Sequence, residues 1–432
     1  MHICRKWRRI VFASQRALQF RLLFTHGTPV LKTLDCWPTV SIAVQYGGSP
    51  ALDPPTPEDE GNIMAALKHS DRVTSIRLTV TRSLLKTVSV TSRPFSGLED
   101  LVLLSRDSAP LTLPSTFRWG PHLRRLHSTR IAIPALLRLL YSSKNLVDLQ
   151  LHEVLNLWHF SPEMLSNALS GMVQLRSLSL HFLSTPGYRI SPPPPGKCVV
   201  LPALTRFNFR GNTQYLEGLV ARIDAPRLGD IEITFVNEMT FELSALSVFI
   251  DRIEMHKSYR RADILSSDHR ISITLTQPAA PTCLKFHLLC EELSYQLLSM
   301  ARICVHFSTF LFDVEDLRIS AERSAHQEGL YNEQWLKRIN SFSNVKWLQV
   351  SGNLSTNVIY SLQRPDGRPA SVLPSLHKLY IPQPGPSYAP LREAVVSFMI
   401  TRRLAGHSIV VEYERLRHIS GLHGTGTVYD RC

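Results

Sequence analysis

The sequence predicts an α/β solenoid, a stack of strand–helix units with a curved parallel sheet and outer helices. Three observations carry this expectation. A short apolar pattern recurs along most of the 432 residues, its copies fall at near-constant intervals, and the stretches between them have helical periodicity. Repetition at such a period marks a stacked architecture, because one unit cannot bury its apolar face alone.

The pattern is apolar-x-x-apolar-x-apolar. It runs Val73-Ile76-Leu78, Leu98-Leu101-Leu103, Leu146-Leu149-Leu151, Leu175-Leu178-Leu180, Leu204-Phe207-Phe209 and Leu228-Ile231-Ile233. It returns as Val314-Leu317-Ile319, Val345-Leu348-Val350 and Leu376-Leu379-Ile381, and a degenerate copy, Leu123-Leu126-Ser128, completes the early series. First positions step by 25, 25, 23, 29, 29 and 24 residues early on, and by 31 and 31 in the last three copies. Two copies share their approach, LPALTRFNF at 201–209 and LPSLHKLYI at 373–381. The last two apolar positions are two apart, so both point to one face of a strand. The first enters from a turn and also points inward. Strands are therefore expected at 76–78, 101–103, 149–151, 178–180, 207–209, 231–233, 317–319, 348–350 and 379–381.

Between strands, Ser161-Pro162-Glu163 is a helix start: a capping serine, proline at the first helical position and an early acid. Segments 133–141, 214–223, 241–256, 329–342 and 389–404 carry helical periodicity as well. A strand–helix unit of this length is what a leucine-rich repeat requires. The usual Asn or Cys after the third apolar position is mostly missing, so the repeats are irregular. A closed (β/α) barrel also alternates strand and helix, but it seldom uses this leucine spacing. The array is interrupted between Ile233 and Val314, where only Ile271-Ile273-Leu275 shows strand alternation. Proline-rich pieces at 47–60, 191–196 and 381–390 read as loops or linkers.

Composition narrows the function. With 44% hydrophobic and 19% charged residues the chain can bury a core. The apolar stretches at 283–290 and 303–312 are too short or interrupted to span a bilayer. Seven cysteines without a CxxC pair fit a reducing compartment, cytoplasmic or nuclear. The net charge of +13 is concentrated at the start, where Arg5, Lys6, Arg8, Arg9, Arg16, Arg21 and Lys32 occur without an acid in residues 1–34. Elsewhere basic residues are dispersed, and no nucleic-acid-binding signature accompanies them. Nucleic acid and membrane are therefore not expected partners.

Candidates for chemistry are few. Cys283, His287 and Cys290 fall at i, i+4 and i+7, near Cys304 and His306, and one helix face could present them to zinc. The surrounding leucines and Phe286 favour a buried apolar face instead, so no metal is expected. Gly424-Thr425-Gly426-Thr427 has no following helix to hold a phosphate. No nucleophile elbow, HExxH, Walker loop or dinucleotide fingerprint occurs. The expectation is no cofactor, no catalytic residue and no enzyme.

The segment Cys4-Arg5-Lys6-Trp7-Arg8-Arg9-Ile10, followed by Val11-Phe12-Ala13-Ser14 and Leu18, resembles the C-terminal part of an F-box. The continuation through Thr28-Pro29-Val30 and Leu34 to Trp37-Pro38 resembles the F-box families of mushroom-forming fungi, in which an irregular leucine-rich array follows. That resemblance implies a substrate-recognition subunit of an SCF-type ubiquitin ligase. In it Cys4, Trp7 and Ile10 would pack the F-box helix and help form the face that docks the SCF adaptor subunit, while an unknown protein substrate binds the repeats. The family's leading Leu-Pro helix is not in this chain, so adaptor docking is expected to be weak or lost. The alternatives are an interaction scaffold without a ligase link and, for the arginine-rich start alone, a mitochondrial presequence. The expected organisation is a helical F-box remnant and connecting segment at 1–46, a Pro-rich linker at 47–64, the leucine-rich-repeat array at 65–412 and a tail at 413–432.

Overall fold

The structure is a computed structural model. It describes residues 21–47, 55–88, 94–107, 109–113, 118–154, 161–183, 198–236, 242–256, 258–267, 269–278, 282–290, 293–322, 341–352, 355–363, 372–382 and 389–414. The chain divides into two units, residues 1–233 with 244–255, and residues 234–243 with 256–432.

In the first unit the strands follow one another in sequence order: β1 (Arg21–Phe24), β2 (Ser41–Tyr46), β3 (Val73–Val80), β4 (Asp100–Ser105), β5 (Arg125–Thr129), β6 (Asp148–Val154), β7 (Ser177–Phe182), β8 (Arg206–Gly211) and β9 (Asp230–Val236). Every registered pair from β1 to β8 is parallel. The repeat pattern explains the register. Ile76, Leu101, Leu126, Leu149, Leu178 and Phe207 stand side by side on successive strands. So do Leu78, Leu103, Ser128, Leu151, Leu180 and Phe209. The leading residues Leu98, Leu123, Leu146, Leu175, Leu204 and Leu228 are fully buried. Each apolar residue withdrawn this way contributes roughly 1.5–3 kcal/mol, and only stacking withdraws it.

Helices return the chain between strands: α1 (Val30–Cys36), α2 (Pro57–Leu67), α3 (Arg82–Val88), α4 (Ile133–Ser142), α5 (Pro162–Leu169), α6 (Thr213–Val220) and α7 (Ser244–Asp251). Ser161 caps α5 as its sequence signals, with its side chain accepting from the Met164 amide. Glu217 of α6 binds the Ala245 and Leu246 amides at the start of α7, tying two repeats together at 2.7 and 2.8 Å.

Three features differ from the expected organisation. Residues of the 1–46 segment form β1 and β2, and Phe24 and Val44 extend the apolar row to Ile76. The Pro-rich linker holds α2: Thr56 caps it in a capping box with Asp59, and Pro57 starts the helix because its missing donor has no partner to lose there. Asp59 is buried and also bonds His26 Nδ1 at 2.9 Å. Burial works to raise that carboxyl, and the His26 and Thr56 hydrogen bonds outweigh it, leaving it below its ordinary value.

The third difference opens the second unit. The interruption after Ile233 is an antiparallel meander of β10 (Arg261–Ser267), β11 (Arg270–Thr276) and β12 (Cys283–Leu289). Its strand β10 then pairs in parallel with β13 (Asp316–Glu322), which begins a second parallel run through β14 (Trp347–Gly352), β15 (Lys378–Pro382) and β16 (Val410–Glu414). Ala262, Leu317, Leu348, Leu379 and Val411 form its apolar row. Helices α8 (Leu293–His306), α9 (Ser308–Phe312), α10 (Ser355–Ser361) and α11 (Ala389–Leu404) complete this unit.

Cys283 and His287 therefore lie on a strand, not on a helix face. Period-two alternation buries Leu284, Phe286 and Leu288 and leaves Cys283, Lys285 and His287 half-buried on the other side. Among the described residues no group of three His, Cys, Asp or Glu could hold a metal ion, and no disulfide forms. No described helix is long and apolar enough to cross a membrane. The expected helix at 329–342 lies almost wholly outside the described residues, as do Cys4, Trp7, Ile10 and the tail beyond 414.

Candidate protein-interaction surface

Positions between the apolar ones on each strand point away from the core, so each unit carries a face of side chains set by register.

In the first unit this face is polar and closed on itself. Asp100 is only 2% exposed. Its Oδ2 accepts from Arg77 Nη2 at 2.8 Å and Nε at 3.1 Å, from Ser75 Oγ at 3.3 Å and from Arg125 Nη2 at 3.4 Å. Beside this cluster three imidazoles from neighbouring strands stand in a row. His127 and His152 meet edge to face at 4.8 Å between centroids, and His152 stacks on His181 at 4.0 Å with 5° between planes. Parallel strands set corresponding residues about 4.8 Å apart, which is ring-stacking distance. The register breaks between Leu151 and Val154, where Glu153 takes φ +52°, and this bulge aims His152. Arg130, also at positive φ, ion-pairs with Glu153 and fixes the bulge.

Ser179 Oγ lies 3.0 Å from His152 Nε2 and 3.4 Å from His181 Nε2. A hydroxyl has one proton and two lone pairs, so Ser179 can bridge the two rings. Burial lowers the pKa of all three histidines. For His152, burial and then the neighbouring His181 and His127 bring it down to about 3. The row is uncharged at neutral pH.

In the second unit the strand face is open. A cleft of about 340 Å³ is lined by Asp316, Arg318, Trp347, Gln349 and Tyr380. Register places Arg261, Asp316, Trp347 and Lys378 along one line, and Asp263, Arg318, Gln349, Tyr380 and Glu412 along the next. Arg261 Nε donates to Asp316 Oδ2 at 2.9 Å, and Lys378 Nζ to Glu412 Oε1 at 2.6 Å while sitting 4.9 Å from the Tyr380 ring centre. The Glu412 bond raises the Lys378 pKa. Arg318 is held less tightly: Nη2 is 3.6 Å from Asp316 and Nε 3.9 Å from Asp263, and that buried Nε makes no hydrogen bond. Trp347 leaves 43% of its surface to solvent. An open indole beside a tyrosine and a loosely paired arginine has the composition of an interface centre.

None of these residues was singled out by sequence. His152 and His181 each follow the third apolar position, Leu151 and Leu180, so equivalent repeat positions were the available signal. Trp347 immediately precedes the second apolar position of its repeat, where side chains face outward.

No family model and no curated protein matches this chain. Among solved structures it is similar to the leucine-rich repeat-containing protein LegL7 of Legionella pneumophila, at 12% identity over 90% of this chain and 99% of that one, with a TM-score of 0.29. The fold assignment rests on the strand register above.

Proposed function

We propose that this protein is a non-enzymatic leucine-rich-repeat scaffold that binds another protein through the strand face of its second unit. The observation that carries this is the cleft around Trp347, where a large apolar ring stays exposed although its neighbours are ordered by ion pairs. A buried indole at such a centre contributes about 2 kcal/mol or more to binding. The test is affinity capture followed by titration of the captured protein against the parent chain and Trp347→Ala. Loss of affinity with unchanged thermal stability supports the reading. Equal affinity overturns it.

The finer proposal, resting on the resemblance over residues 3–38, is a substrate-recognition subunit of an SCF-type ubiquitin ligase, with Cys4, Trp7 and Ile10 toward the adaptor and the captured protein as its substrate. Calorimetric titration of purified adaptor decides it. Weak or absent binding by this chain, and binding gained when a relative's Leu-Pro helix is added ahead of residue 1, is the expected result; no binding by that folded, extended chain overturns the ligase link while leaving the scaffold reading intact.

A further inference from the structure

Helix α11 packs on one side only. Leu391, Ala394, Val395, Phe398 and Arg402 are buried within the second unit, and Arg402 donates to the carbonyls of Val372 and Leu373. The opposite side exposes Val396, Met399, Ile400 and Leu404, the last two at 56% and 84%. A groove of about 450 Å³ runs along it, lined by Arg392, Glu393, Val396, Ser397, Ile400 and Thr401. At about 100° per residue, Val396 and Ile400 with Glu393 and Arg403 fall within an arc of about 80°. This is a straight apolar seam with a negative charge toward its start and a positive charge toward its end.

We propose that the seam is a homodimer contact, covered by α11 of a second copy of this chain running antiparallel across a two-fold axis. Two arguments select this occupant. The first is charge: neither Glu393 nor Arg403 has an ion-pair partner among the described residues, and ten residues of helix, about 15 Å, keep them from each other. With the axis at the level of Phe398, Val396 lies against Ile400 of the other copy and Glu393 against Arg403. Each contact occurs twice, as an isologous interface requires. The second argument is continuity. Helices of successive repeats already pack on one another, α10 on α11 included, and α11 ends that row among the described residues. A second α11 extends it by the same kind of contact. One helix pair covers less than a standard interface, so the dimer is weak, dissociating in the micromolar range.

Sedimentation equilibrium of the full chain at roughly 10–100 μM, a range suited to so small an interface, tests this. A concentration-dependent dimer is expected. Val396→Glu, on an exposed position, should leave thermal stability unchanged and abolish the dimer. Glu393→Arg and Arg403→Glu should each weaken it, by about tenfold for two like-charge contacts, and the double variant should restore it. A chain monomeric throughout the range overturns the proposal, whether the seam meets solvent or residues 415–432. So does a dimer indifferent to Val396→Glu, or a double variant no better than the single ones.

Discussion

The two strand faces are built on the same register yet hold their polar groups differently. In the first unit His127 meets His152 edge to face, His152 stacks on His181 and shares the Ser179 hydroxyl with it, and the row sits beside an aspartate saturated by two arginines. In the second, Arg261, Asp316, Lys378 and Glu412 pair off, Arg318 is held only by long ion pairs, and Trp347 stays exposed. The difference is the ground for placing the proposed binding on the second face. A face whose groups satisfy one another gains little from a partner, whereas exposed aromatic area gains by being covered. The first face, with its desolvated imidazoles, is instead a source of pH dependence.

The largest effect should come from breaking the apolar row beneath the first face. Leu178 is fully buried between Leu149 and Phe207, and Leu178→Asp places an unpaired carboxylate there. A loss of about 3–5 kcal/mol is expected by chemical denaturation. Survival of the variant at parent stability would mean that the register is wrong.

Next comes acid sensitivity of the first face. The three histidines have folded pKa values below their ordinary 6.5, so below that pH the unfolded chain binds more protons than the folded one. Their contribution is complete above pH 6.5 and is lost as pH falls through the window, toward about 3 for His152. The unfolding free energy of the parent should drop by about 1 kcal/mol per pH unit between these limits. His152→Gln should flatten that slope while leaving stability at pH 8 little changed. An unaltered slope would remove the row from the account of acid sensitivity.

Smaller effects sharpen the contrast. Trp347→Ala should change stability by less than about 1 kcal/mol, because much of the indole is already solvated. Gln174→Ala, exposed just before Leu175, should stay within about 0.5 kcal/mol. Thermal melts of both beside Leu178→Asp check the ranking.

Much of this architecture was legible in the sequence because it rests on period. Leu149, Leu178 and Phe207 align since each repeat places its second apolar residue at the same point. Features that depend on position across repeats were not legible. The imidazole row needs a bulge at His152 and Glu153 as well as neighbouring strands. The meander from Arg261 to Leu289 escaped because antiparallel strands lack the leading leucine, and the i, i+4 spacing of Cys283 and His287 suits a helix and one strand face alike. Helix α2 was hidden by the prolines around it, where the informative residue was Thr56, the cap before Pro57.

The most direct measurement of the central claim is a titration of the captured protein against three chains: the parent, Trp347→Ala, and Val173→Ala, an exposed position of the first unit outside its strand face. The expected result is a loss of at least about tenfold, or 1.4 kcal/mol, for Trp347→Ala alone. Equal affinity for all three, with each shown to be folded, would contradict binding through the open strand face of the second unit.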